Sequence, residues 1–257
     1  MNNLEKDQSR LGERGNVLFL ILIAVALFAA LSYAVTQSTR SSGGDAGKET
    51  NKISSAQLTQ YPASVRTSIV RMIIGGQDVD TLEFNAPEDF TNCTESPPSS
   101  NRFPRCVFHP SGGGATHVTA PGSLMTNGNP GGWIFNGENE IENVGTTTTA
   151  GVASSTVDLI AFLPGVSQGV CESINEELGI STTQGDIQED SIEYLSSSNM
   201  TNPNGSTATS LAAGGASIGE TSTALVGQPF GCFYDSNGNA DNGGAAQYIY
   251  YHVLVER

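Results

Sequence analysis

Gly165-Val166-Ser167-Gln168-Gly169 has the G-x-S-x-G spacing of a nucleophile elbow. Such a turn lifts a serine hydroxyl off a strand end, and acyl transfer then needs an acid and a histidine. Asp235 or Asp241, and then His252, follow in that chain order. Three features argue against the chemistry. Pro164 intrudes between strand and turn, repeated strand–helix alternation is missing, and His252 falls inside a predicted strand. The segment reads instead as a Pro-Gly turn followed by a helix capped by Ser167, and the chain as a non-enzyme.

Asp235, Asn237, Asn239 and Asp241 place side-chain oxygens on alternate residues, an arrangement suited to a hard cation such as Ca²⁺. The EF-hand pattern fails, because Ala240 stands where glycine is needed and Ala246 where the bidentate glutamate belongs. The competing reading is an Asn/Asp/Gly turn before the last strand. No other cofactor is expected. His109 and His117 flank a Ser-Gly-Gly-Gly turn and read as surface loop positions. Arg66, Arg71, Arg102 and Arg105 read as solvated or ion-paired, not as a nucleic-acid patch. Asn92, Asn199 and Asn204 begin N-x-S/T sequons, which matter only in a glycosylating host.

The 257 residues carry 26 Asp+Glu against 11 Lys+Arg, for a net charge of −15. Nucleic acid is thereby excluded as a main partner, since phosphate binding needs a basic face. Charged residues are only 14%, and Gly contributes 30. That composition suits a loop-rich extracytoplasmic β protein. Four cysteines, Cys93, Cys106, Cys171 and Cys232, imply disulfides there. Of the three pairings, Cys93–Cys106 is favoured because it closes a Pro-rich loop. Cys171–Cys232 would then tie a short helix to the segment before the last strand. No Cys-x-x-Cys occurs, so a zinc site is not expected.

No formal charge lies between Arg14 and Arg40, and Val17 to Val35 is almost wholly apolar. At ~1.5 Å per residue the run spans roughly 28 Å, close to the hydrocarbon thickness of a bilayer. Lys6, Arg10 and Arg14 precede it and Arg40 follows, which puts the N-terminus in the cytoplasm and the remainder outside. Three fates are open. The run is a permanent anchor, or a signal peptide cut after Ala34, or a stretch that stays in the mature protein after a short leader is removed.

Arg14-Gly15 followed by Asn16-Val17-Leu18-Phe19-Leu20 resembles the prepilin-type N-terminus of type IV pilin-like proteins and pseudopilins. The resemblance covers about residues 10–40. It implies a leader over 1–15, cleavage between Gly15 and Asn16 by a prepilin peptidase, and methylation of the new N-terminus. It further implies a precursor in the inner membrane and self-assembly, or assembly with other pilin subunits, into an extracellular or periplasmic filament. The family usually has Glu at the fifth mature position, where this chain has Leu20. Some minor pilins and tip pseudopilins lack that Glu, so the departure points to a minor or accessory subunit. Some pseudopilins also carry Ca²⁺ in a C-terminal loop, which bears on the Asp235–Asp241 segment. The competing function classes are a membrane-anchored or secreted binding module such as an adhesin, and the less favoured serine hydrolase.

The expected fold is α+β. A long N-terminal transmembrane and amphipathic helix (16–74) leads into an antiparallel, disulfide-stapled β head (75–257). Thr36 to Gly47, with Gly43, Gly44 and Gly47, reads as an interruption or flexible joint. Leu58, Tyr61, Val65, Ile69 and Met72 form one helical stripe, kinked or restarted at Pro62 and stopped at Gly75-Gly76. Predicted strands are 81–84, 107–108, 133–135, 138–144 with a turn at Asn136-Gly137, 157–163, 192–195 and 247–255, with a helix at 170–178. The stretch 184–223 reads as a long decorated loop.

Overall fold

The computed structural model describes residues 13–145, 158–180, 217–219, 223–235 and 246–257. The chain divides into two units, Met1–Glu49 and Thr50–Arg257. Helix α1 runs Glu13–Ile74. It continues through the interval 36–47 where the sequence predicts an interruption. Three glycines weaken that interval by ~1 kcal/mol each, but helix on both sides has already met the cost of nucleation, so propagation carries through.

Within the second unit, α1 buries Leu58, Val65, Ile69 and Met72, each at most 6% exposed. Pro62 lies inside the helix, also buried, and lacks the N–H that would reach the Leu58 carbonyl. That loss is worth ~3 kcal/mol, whereas four fully buried aliphatic side chains gain about 1.5–3 kcal/mol each. Packing therefore wins, and the helix does not restart. It ends as predicted at Gly75-Gly76. Gln77 N–H donates to the Met72 carbonyl and Gly76 N–H to that of Ile73, with Gly76 at φ +92°, the geometry of a Schellman cap.

The head is built on a five-stranded sheet. Its strands are β1 (Ile134–Ile141), β2 (Asp158–Pro164), β3 (Ser217–Ile218), β4 (Phe230–Asp235) and β5 (Gln247–Val255), in the order β3-β1-β2-β5-β4. The β1–β2, β2–β5 and β4–β5 pairings are antiparallel, and only the short β3 runs parallel, beside β1. Helix α2 (Gln168–Glu177) follows β2. The fold is thus α+β, with one parallel exception to the expected antiparallel sheet.

Both sheet faces are covered. Helices α1 and α2 pack on one face with Phe135, Leu159, Ala161, Leu163, Tyr250 and Leu254. The other face holds Ile160, Phe162, Phe233, Ile249, Tyr251 and Val253, with Ile218 and Leu225. Burial on two sides explains why Leu159–Leu163 is an unbroken apolar run. It also makes β5 alternate, with Tyr250 and Leu254 facing one core and Ile249, Tyr251 and Val253 the other.

Several expectations are corrected. Asn136-Gly137 does not turn a hairpin. It lies inside β1, where the register against β2 slips between Asn136 and Asn139, so one extra residue is accommodated as a bulge. Both arms of the expected hairpin find the same better partner in β2. Residues 81–84 and 107–108 form no strands. Glu83, after a 3₁₀ turn at Val79–Thr81, makes a single bridge with Cys106, just before the second segment. β4 was not anticipated. The candidate strand 192–195 and most of the stretch 184–223 lie outside the described residues.

Candidate membrane-spanning and assembly helix

Val17–Gln37 is 21 residues long, has mean hydropathy 2.7 and is 0% buried. At ~1.5 Å per residue it extends about 31 Å. Every large side chain is turned outward, from Ile23 at 39% exposed to Phe28 at 72%. A soluble amphipathic helix shows one apolar stripe, and this one is apolar all round. At about 1.5–3 kcal/mol per large apolar side chain, keeping this surface in water is unfavourable by on the order of 20 kcal/mol. Lipid or other apolar helices remove that penalty. At the C-terminal end, Thr36 donates to the Ser32 carbonyl at 2.7 Å and Gln37 Nε2 to the Tyr33 hydroxyl at 2.8 Å, so these polar groups are satisfied within the helix. Leu20, where the pilin-like pattern has Glu, is 58% exposed on this surface. Gly15 and Asn16 lie in the first turn of α1, and the leader residues 1–12 lie outside the described part.

The cysteines sit at disulfide distance in the favoured pairing. Cys93 and Cys106 have Cα atoms 5.9 Å apart, and Cys171 and Cys232 5.4 Å. The second pair joins α2 to β4 and lies within the core.

Asp235 ends β4 opposite Gln247 and is 2% exposed. Asn237, Asn239 and Asp241 lie outside the described residues. Among the described residues no group of three or more His, Cys, Asp and Glu is placed to hold a metal.

Ser167 and His252 are not brought together as an elbow requires. Ser167 occupies the N-cap position of α2, but its side chain makes no capping hydrogen bond, and its N–H donates to the Leu124 carbonyl at 2.8 Å. His252 pairs with Ala161 on β2, three residues before Pro164, or roughly 10 Å back along the strand. Its Nδ1 is 2.8 Å from the Tyr250 hydroxyl and its ring stacks on Phe230. Burial, aided by the Arg66 charge, lowers its pKa to about 4. His109 meets Phe90 and Phe103 edge-on and accepts from the Ser111 N–H, while His117 meets Phe108. Both act as packing groups. Arg66 pairs with Glu256 at 3.3 Å, and Arg71 donates to the Gly113 carbonyl at 2.9 Å. Arg102 is exposed and Arg105 half-buried in the small disulfide loop.

Sequence reasoning missed two buried polar centres. Asp158, 0% exposed, accepts N–H bonds from Ile141 at 3.0 Å and Arg257 at 3.1 Å. Burial raises its pKa to about 7; the two N–H bonds oppose the rise, and Glu140 and Glu256 add to it. Glu83, 1% exposed, accepts from the Thr94 N–H at 2.8 Å and from the Thr94 hydroxyl. A carboxylate opening an apolar strand was the available signal for Asp158.

Comparison with known protein families, curated proteins and solved structures gives no match for this chain.

Proposed function

We propose that the chain is a structural subunit, minor or accessory, of a type IV pilus-like or type II secretion-like filament. The observation that carries this reading is Val17–Gln37, whose apolar surface is exposed all round and needs lipid or like helices as cover. The Arg14-Gly15-Asn16 start and an α1 stripe packed on a largely antiparallel sheet support it. In the inner membrane the helix anchors the precursor. After cleavage at Gly15, close side-chain packing between copies replaces lipid contact. The head faces outward and carries specificity.

The N-terminus of the native protein tests this. Asn16, with an added methyl group, is the expected first residue by mass spectrometry. Met1 would leave a plain anchor, and Val35 a secreted protein. A second reading, a membrane-anchored binding module, is favoured by Leu20, which removes the carboxylate that pilin-like subunits use during assembly. It requires Met1 at the native N-terminus and no filament association.

A further inference from the structure

We infer that the outward face of α1 between Ile53 and Ile74 is an interface for a second copy of this chain, which seats the acidic outer face of its α2 there. The inference deepens the filament reading and rests on it. Ile53, Ala56, Gln60, Ala63, Thr67, Val70 and Ile74 recur at steps of three and four and are all exposed, opposite the buried stripe. Ile53 is 67%, Val70 41% and Ile74 82% exposed. A helix with one face in the core ordinarily carries charge on the other. This face carries only two charges, the exposed Lys52 and Arg71 at its margins, and its spacing is that of a seam receiving another helix.

Charge selects the occupant. No Asp or Glu occurs between Glu49 and Asp78, whereas Lys52, Arg66 and Arg71 do, in a chain of net charge −15; Arg66 is held by Glu256 of its own chain, which leaves Lys52 and Arg71 to attract a partner. Two copies of α1 laid seam to seam would bring these like charges together. The opposite sign lies on α2, which contains Glu172, Glu176 and Glu177 and no basic residue. Gln168, Glu172 and Glu176 follow at intervals of four along its outer side, with Glu176 exposed. Joining one copy's α1 to the next copy's α2 uses two different patches. The contact is therefore heterologous and continues from copy to copy, as a filament requires.

The test uses the full chain in detergent, with sedimentation read at about 0.1 M and about 1 M salt, where the Debye length falls from ~10 Å to ~3 Å. Self-association is expected to weaken with salt. Lys52→Glu and Glu176→Lys should each weaken it about tenfold at low salt, and the double charge swap should restore it. Thr67→Glu should disrupt the seam, while Thr119→Glu, on an exposed loop, should not. Single variants that associate like the wild type, or a swap that fails to restore, overturn the inference. The filament reading is separable. Association that ignores these variants but is lost on Leu27→Arg keeps that reading and sinks the interface. A restored charge swap in a protein whose native N-terminus is Met1 does the reverse.

Discussion

Asn175, on the buried side of α2, makes a two-point hydrogen-bonded pair with the backbone of Cys232. Its Nδ2 donates to the Cys232 carbonyl at 2.8 Å, and its Oδ1 accepts from the Cys232 N–H at 3.0 Å. β5 occupies one side of β4, so the side-chain amide takes the place of a neighbouring strand on the other side. Cys171 lies one helical turn before Asn175, so disulfide and amide hold the same residue of β4.

Asn175→Ala leaves a buried N–H and a buried carbonyl without partners. The expected destabilisation is about 2–3 kcal/mol, read as a lower denaturant midpoint with unchanged slope. A loss below about 0.5 kcal/mol would show that water replaces the amide at no cost.

The two disulfides should differ in weight. Cys171–Cys232 closes a separation of 61 residues and Cys93–Cys106 one of 13. Chain-entropy reasoning assigns ~4 and ~3 kcal/mol respectively. Removing the first pair as Cys171→Ala/Cys232→Ala should therefore lower stability more than Cys93→Ala/Cys106→Ala. Equal losses would mean that the small Pro-rich loop is the more important staple.

The parts of this fold that could be read ahead are those where one physical rule acts alone. The α1 stripe follows helical period, the Gly75-Gly76 stop follows backbone freedom, and β5 alternates because its two faces meet two cores. Reading failed where rules compete. Asn136-Gly137 has the chemistry of a hairpin turn, but pairing both flanks with β2 satisfies more backbone groups. Gly43, Gly44 and Gly47 look like a joint, yet helix on either side bridges them. β4 was missed because Gly231 and Cys232 interrupt its aromatic pattern. Gly231 is small since a Cβ there would lie 3.0 Å from the Tyr251 hydroxyl, a contact made across the sheet. In the apolar helix Val17–Gln37, length and hydropathy are legible from composition. What covers that helix is set by other molecules.

Asp158 and His252 should tilt stability in opposite directions with pH. Asp158 titrates near 7 in the folded chain and near ~4 unfolded. Its raised pKa means that the folded state holds a proton the unfolded state has lost. That contribution is full below about pH 4 and disappears as pH rises through 7. His252 titrates near 4 when folded and near ~6.5 unfolded. Its contribution is full above about pH 6.5 and disappears as pH falls through 4. Each is worth on the order of 3 kcal/mol, so the two slopes largely cancel between about pH 4 and 6.5. Asp158→Asn should expose stability that rises with pH in that window, and His252→Gln stability that falls. The readout is the pH slope, because either variant also shifts absolute stability. Variant slopes that match the wild type would remove both groups from the balance.

The three glycines after Ser111 should fail for two different reasons. A Cβ on Gly112 would lie 2.1 Å from the Cys106 carbonyl oxygen and 2.6 Å from that of Phe103. On Gly113 it would lie 2.4 Å from the Val107 oxygen and 2.7 Å from Met72 Sδ. These neighbours are mostly backbone, tied by the Val107-to-Glu83 and Ala115-to-Val107 hydrogen bonds, and cannot step aside alone. Gly114 has open space around its Cβ position but sits at φ +62°. Gly112→Ala and Gly113→Ala should therefore each destabilise by more than about 2 kcal/mol, as overpacked core sites do. Gly114→Ala should lose only ~1 kcal/mol, the strain of the left-handed region. Gly114→Asn separates the two mechanisms, since Asn tolerates that backbone region, and it should recover part of the loss. Gly113→Ala should also weaken the Arg71 hydrogen bond to the Gly113 carbonyl and loosen the end of α1. Amide exchange at Gly75 to Gln77, whose N–H groups close the helix cap, would rise if that coupling holds and stay unchanged if the loop and the helix respond separately.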